Sequence, residues 1–284
     1  MFTTAEARAF QQLTTRDDGR LAIVANDQRQ SLVKTRERAG LPATVAELRE
    51  IKRDIVAALA PEASGVLLDP EIALPTLLDE GVVPRDSGLL VAIEHSGARD
   101  EGGLRVTDLL LDPAGVRRLG GTAAKLLVYV RPDREDADGP NGQLVRSVVT
   151  ACAAADLLLV LEVLTYRLPD EEPDRYEKLK PDLIREAALL AESCGARVLK
   201  LASPGDAAAC SRITDSLRVP WAVLSAGVDH DTFVGVLREA LAGGASGFIA
   251  GRSLWNEAAV LSPPERRVFL LGEGRRRLAE LLEL

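Results

Sequence analysis

Eight short apolar runs recur at fairly even spacing along the chain: LAIVAND (21–27), GVLLD (65–69), LLVAIE (89–94), AKLLVYV (124–130), LLLVLEVL (157–164), VLKLAS (198–203), WAVLSAG (221–227) and GFIAGR (247–252). They are rich in Val, Ile and Leu and are apolar on successive residues, which predicts parallel strands covered on both faces. The intervening segments have helical periodicity, as in TVAELREIKRDIVAALA (44–60) and TFVGVLREALAGGA (232–245). PDLIREAALLAESCG (181–195) opens on Pro-Asp and closes at Gly, as a helix should. Eight strands alternating with helices in a chain of 284 residues predict one α/β domain, a (β/α)8 TIM barrel over residues 1–284. A doubly wound sheet would have fewer strands and usually a GxGxxG turn after the first, which is absent here.

TYRLPDEEPDRYEKLKP (165–181) is polar and punctuated by proline, and reads as a long loop after the fifth strand. Such a loop lies at the C-terminal face of a barrel, where active sites sit. The same face collects the polar residues at the strand ends: Asp27, Gln28 and Arg29, Asp69 and Glu71, Glu94 and His95, Ser225 and Gly227, and Gly251 and Arg252. Three further charges, Lys125, Glu162 and Lys200, interrupt apolar runs. A charge pointing outward from a barrel strand would be buried bare under a helix, so inward placement near the mouth is favoured. Asp27, Lys125, Glu162 and Lys200 would then share one small volume.

Each has a plain alternative. A lone strand lysine often snorkels, Glu162 could be no more than an ion-pair partner of Lys125, and Asp27 could cap the next helix. Taken together they suggest amine catalysis. A lysine that is desolvated, or close to a second cation, becomes a free amine that attacks a ketone and forms a Schiff base. Lys200 would be that nucleophile, with Lys125 depressing its pKa and binding substrate hydroxyls. Glu162 suits the acid–base steps, and Asp27 would either orient those hydroxyls or take the proton of the C4 hydroxyl. LSAGVD (224–229) and GGASGFIAGRSLW (243–255) are Gly-rich and carry Arg252, so they read either as a phosphate cradle or as tight turns.

Composition narrows the classes. A net charge of −8 argues against a non-specific nucleic-acid binder. No run approaches the length of a membrane span, and the first twenty residues lack the apolar core of a signal peptide. Three cysteines without a CxxC pair, Cys152, Cys194 and Cys210, fit a reducing compartment rather than a disulfide framework or a zinc site. The expectation is a cytoplasmic protein with no nucleic-acid or membrane partner.

The segments NDQR (26–29), LLDPEIALP (67–75), AKLLVY (124–129), LEVLTY (161–166), VLKLASP (198–204), LSAGVD (224–229) and AGRSLW (250–255) resemble, in order, the class I tagatose-1,6-bisphosphate aldolases and the related sulfofructose-phosphate aldolases. The resemblance implies a TIM barrel, a Schiff-base lysine at Lys200 and companions at Glu162, Lys125 and Asp27. It also implies a ketone-end phosphate on Ser225, Gly227, Gly251 and Arg252, a far anionic end near Gln28 and Arg29, no metal or other cofactor, and a homo-oligomer. Where the family has a glutamate between lysine and proline, this chain has Ala202 and Ser203. The implied reaction is cleavage of a ketohexose 1-phosphate, anionic at C6, to dihydroxyacetone phosphate and a three-carbon aldehyde. Tagatose 1,6-bisphosphate and 6-deoxy-6-sulfofructose 1-phosphate remain alternatives. Outside the aldolases stand an isomerase using Glu162 as base and a non-catalytic sugar-phosphate-binding barrel. His95 and His230 read as surface or rim residues.

Overall fold

In the computed structural model, which describes residues 2–15 and 17–284, the eight apolar runs are eight parallel strands. They are β1 (Leu21–Asn26), β2 (Gly65–Leu68), β3 (Gly88–Ala92), β4 (Ala123–Tyr129), β5 (Leu158–Leu164), β6 (Val198–Leu201), β7 (Trp221–Leu224) and β8 (Gly247–Ala250). Each pairs with its sequence neighbours, and β1 pairs with β8 to close the barrel. The expected fold is therefore the observed one.

Side-chain alternation divides the core in two. Ile23, Ala25, Leu67, Leu90, Ala92, Ala123, Val160, Val198, Ala222 and Ile249 fill the barrel, while the opposite faces of the strands join the apolar stripes of the surrounding helices. Helix α1 (Thr4–Gln12) lies at the N-terminal end of the barrel, and the following Leu13 is fully buried beneath it. A Cβ on Gly88 would lie 2.6 Å from Leu13 Cδ2, so this strand must begin on glycine for the plug to seat.

The segment 44–60 forms the helix Val45–Leu59 behind β1 and β2, opened by a Thr44/Glu47 capping box. The segment 165–181 departs from expectation. Its loop ends at Glu172, and a helix of 21 residues runs from Pro173 to Ser193 with Pro181 inside it. Pro173 is at the start, where its missing N–H costs nothing. Pro181 removes the bond to the Glu177 carbonyl, which lies on an exposed turn within reach of water. The loop after β3 contains a two-stranded hairpin, Arg99–Glu101 with Leu104–Val106, that the strand pattern does not announce. Among the described residues no helix is long and apolar enough to cross a membrane.

Candidate active site

Period-two alternation carries the interior positions past the apolar layers and into the charges. Ile23 and Ala25 lead to Asp27, Leu90 and Ala92 to Glu94, Ala123 to Lys125, Val160 to Glu162, and Val198 to Lys200. Sheet register then sets the neighbours. Glu162 is directly opposite Lys200 across the β5–β6 pair, whereas Lys125 and Lys200 face Ala92 and Ala222. These small residues leave room for two long side chains to stand inside the barrel.

The result is one charge cluster at the C-terminal mouth. Lys200 Nζ donates to Glu162 Oε2 at 2.9 Å, and Lys125 Nζ is 2.8 Å from the same oxygen. Lys125 also lies 2.7 Å from Glu94 Oε1 and 3.2 Å from Asp27 Oδ2. All four residues predicted for catalysis are thus brought together. Asp27 does not cap the next helix, whose N-cap is Arg29 without a side-chain cap bond.

Electrostatics follow from this packing. Burial, the largest influence on Asp27, pushes its carboxyl up, but the ammonium groups of Lys125, Lys200 and Lys52 outweigh it and hold it well below the usual range. Burial likewise opposes ionisation of Glu162, and Lys125 and Lys200 bring its carboxyl below its ordinary value. For Lys125, burial is outweighed by Glu162, Glu94 and Asp27, so its ammonium is held well above the usual lysine value. These directions describe charged, mutually neutralising groups.

Glu94 belongs to this cluster although only its neighbours were singled out for catalysis. Its second oxygen accepts the Leu127 N–H at 3.2 Å. The alternation Leu90, Ala92, Glu94 was the available signal. Arg29, expected at the far anionic end, is buried in the cavity wall with its guanidinium already engaged: it pairs with Glu71 and donates to the Glu94 carbonyl at 2.7 Å. Around the cluster opens a cavity of about 370 Å³, lined further by Gln28, Ser31, Lys34, His95, Ser96, Tyr129 and Arg252.

The two Gly-rich segments meet at Arg252, the residue of theirs that lines this cavity. Ala226 and Gly227 have φ of +51° and +81°, in a turn closed by the Val228 N–H donating to the Ser225 carbonyl at 3.1 Å. A Cβ on Gly227 would lie 2.6 Å from Arg252 Cζ, and one on Gly251 2.6 Å from the Ala25 carbonyl and 3.0 Å from Gln28 Nε2. Backbone packing therefore requires glycine at 251 and the left-handed φ favours it at 227, and Gln28 lies beside Gly251. Ser225 is buried at the end of β7. Trp255 Nε1 donates to the Ala25 carbonyl at 3.1 Å, tying this segment to the strand that carries Asp27.

Two secondary expectations come out differently. His95 is on the rim, but His230 is not a surface residue: it is buried, with Nε2 2.9 Å from Glu280 Oε2 on the C-terminal helix. The three cysteines are free and buried, and burial pushes the Cys152 and Cys210 thiols up to about 12 and about 11.

A family model described as DeoC/LacD family aldolase matches residues 21–257. The chain belongs to that family. This aldolase is 30% identical over 270 residues to the tagatose 1,6-diphosphate aldolase of Staphylococcus epidermidis, covering 85% of this chain and 82% of the relative. It is 28% identical over 284 residues to tagatose 1,6-diphosphate aldolase 1 of Streptococcus mutans, covering 90% and 86%. Among solved structures, an archaeal fructose 1,6-bisphosphate aldolase superposes with a TM-score of 0.65 at 17% identity, over 96% of this chain and 97% of that one. The fructose-bisphosphate aldolase of Slackia heliotrinireducens gives 0.66 at 17% identity, over 99% and 92%. At that identity these two likenesses speak to the barrel alone.

Proposed function

We propose that this aldolase cleaves a ketohexose 1-phosphate carrying an anionic group at C6, through a Schiff base on Lys200. The observation that carries the reading is the contact of Lys200 with Glu162 beside Lys125 at the floor of the mouth cavity. An amine, a carboxylate at hydrogen-bond distance and a second ammonium are the groups that carbinolamine chemistry needs.

The amine of Lys200 adds to the C2 ketone, Glu162 delivers and removes the protons of carbinolamine formation, and water leaves to give the iminium. Asp27, facing the same volume, takes the proton of the C4 hydroxyl. The C3–C4 bond then breaks, its electron pair moves into the iminium, and the three-carbon aldehyde departs. Protonation of the enamine at C3 and hydrolysis release dihydroxyacetone phosphate and restore Lys200. In the resting enzyme Lys125 holds Glu162 and Asp27 in their charged forms, so each enters the cycle as a proton acceptor. With Glu162→Gln, kcat should fall by roughly 10²- to 10⁴-fold, the range for loss of a positioned acid–base group, in a coupled assay of dihydroxyacetone phosphate release.

The ketone-end phosphate is assigned to the turn at Ser225–Gly227 and to Gly251 and Arg252, because Gly227 lies against the Arg252 guanidinium, which lines the cavity and suits a phosphate. Gly227→Ala would push a methyl group into Arg252 and strain a left-handed residue. Loss of one charge-assisted phosphate contact, roughly 1.5–3 kcal/mol, corresponds to about a 10- to 100-fold rise in KM; an unchanged KM would remove the phosphate from this turn.

The far anionic group falls toward Lys34, Ser31 and Ser96 on the outer wall, since Arg29 is already engaged. The experiment is a comparison of kcat/KM for tagatose and fructose 1,6-bisphosphates, the C6-sulfonate analogue and a ketose 1-phosphate neutral at C6. A C6-anionic ketose should be preferred over the neutral one, and equal rates would overturn the assignment.

A further inference from the structure

Lys52 occupies the core-facing stripe of the helix Val45–Leu59, with Leu48, Ile51 and Ile55, and has no exposed surface. An ammonium in that position loses its hydration, a loss made good only by close, well-placed partners. It has two. Nζ donates to the Asn26 carbonyl at 2.5 Å and lies 2.7 Å from Asp69 Oδ1, itself fully buried. Asn26 Nδ2 returns a bond to the Lys52 carbonyl at 3.1 Å. The ammonium therefore fastens the last residue of β1 to the first residue beyond β2.

Two chains of contacts lead from these partners to the amine cluster. The Asn26 carbonyl belongs to the peptide that continues into Asp27, whose carboxylate meets Lys125. Asp69 Oδ2 accepts the N–H groups of Glu71 and Ile72 at 3.1 and 2.7 Å, fixing the turn that carries Glu71. Glu71 holds Arg29, Arg29 donates to the Glu94 carbonyl, and the Glu94 carboxylate meets Lys125. Both routes end on Lys125, which shares Glu162 Oε2 with Lys200.

We propose that Lys52 is a positioning residue for the catalytic amines, fixing Asp27 and the Arg29–Glu94 strut from behind the barrel wall so that Lys125 stays seated against Glu162. The inference rests on the reading of Lys200 as the Schiff-base nucleophile. It assigns a functional reason to a charge on a helix face where Leu or Met would pack better. A purely structural Lys52–Asp69 pair would predict that activity and stability move together.

The test uses Lys52→Met and the double variant Lys52→Met/Asp69→Asn, in which no buried carboxylate is left without its partner and the Asn oxygen can still accept the turn N–H groups. Each is measured for melting temperature, for kcat and KM with a ketohexose 1,6-bisphosphate, and for dihydroxyacetone phosphate fixed to Lys200 by borohydride. Displacement of the cluster by about an ångström predicts a kcat loss on the order of 10²-fold with KM changed much less. The double variant should regain most of the lost melting temperature but not kcat. A double variant that regains both, or a folded Lys52→Met enzyme with wild-type kcat, would overturn the positioning role while the wild-type adduct on Lys200 stands. Absence of that adduct in the wild type would instead overturn the Schiff-base reading and this inference with it.

Discussion

Lys200→Met should leave a folded barrel with kcat reduced by at least about 10⁴-fold, the scale on which loss of a covalent catalyst is measured. The substitution deletes the amine that donates to Glu162 at 2.9 Å and that the account makes the nucleophile. Methionine keeps the length and the apolar stem among Ala222 and Val198, so folding survives. One ammonium is lost from beside Glu162, but Lys125 still contacts the same oxygen. Binding of the bisphosphate should persist, because the Gly227–Arg252 segment is untouched, and KM should change far less than kcat. A variant retaining a tenth of wild-type kcat would mean that the chemistry does not pass through this amine.

Lys125→Met has a different signature, since stability suffers as well as rate. Lys125 is buried and meets Asp27, Glu94 and Glu162 within 3.2 Å. Without it, three carboxylates share Lys200 as their remaining neighbouring ammonium in the cluster, and breaking a buried ionic group in this way costs about 3–5 kcal/mol. For a domain of this size that is on the order of a 10 °C fall in melting temperature. The pH dependence has a definite sign. The Lys125 ammonium is held above its ordinary value, so its stabilisation is complete at neutral pH and fades only as pH rises through the folded value. Asp27 and Glu162 are held below theirs, so in the wild type their contribution is present above the unfolded carboxylate values and lost as pH falls through the lower folded ones. In the variant, burial favours the protonated carboxyls. The gap between the two melting temperatures should therefore narrow as pH falls from neutral toward the ordinary carboxylate range, about 4, and a gap independent of pH would contradict this charge balance.

The barrel was legible because its strands are buried on both faces, and continuous Val/Ile/Leu runs such as LLVAI and LLLVL have few other uses at that length. The four catalytic candidates were legible for the complementary reason: a charge inside such a run has to point at other charges. Their partnerships were not. That Glu162 shares one oxygen between Lys125 and Lys200 depends on strand register, which local pattern does not encode. Glu94 was visible at a strand end, yet its role depends on the inward parity of Leu90 and Ala92. Lys52 went unnoticed because a charge in a helix is ordinary until its position on the apolar stripe is counted. Arg29 looked available from sequence, whereas Glu71 and a carbonyl from the β3 loop engage it in the fold. The hairpin at 99–106 has exposed, charged strands and no apolar alternation to betray it. Pro181 looked like a helix boundary, but the carbonyl it releases is exposed, so the helix continues through it.

The most direct measurement is peptide mass spectrometry of the enzyme after borohydride reduction in the presence of dihydroxyacetone phosphate. The account predicts one reduced adduct, on the peptide containing Lys200, formed in the wild type, slowed in Glu162→Gln and absent in Lys200→Met. An adduct on Lys125, or none on a wild-type enzyme that still cleaves its substrate, would contradict it.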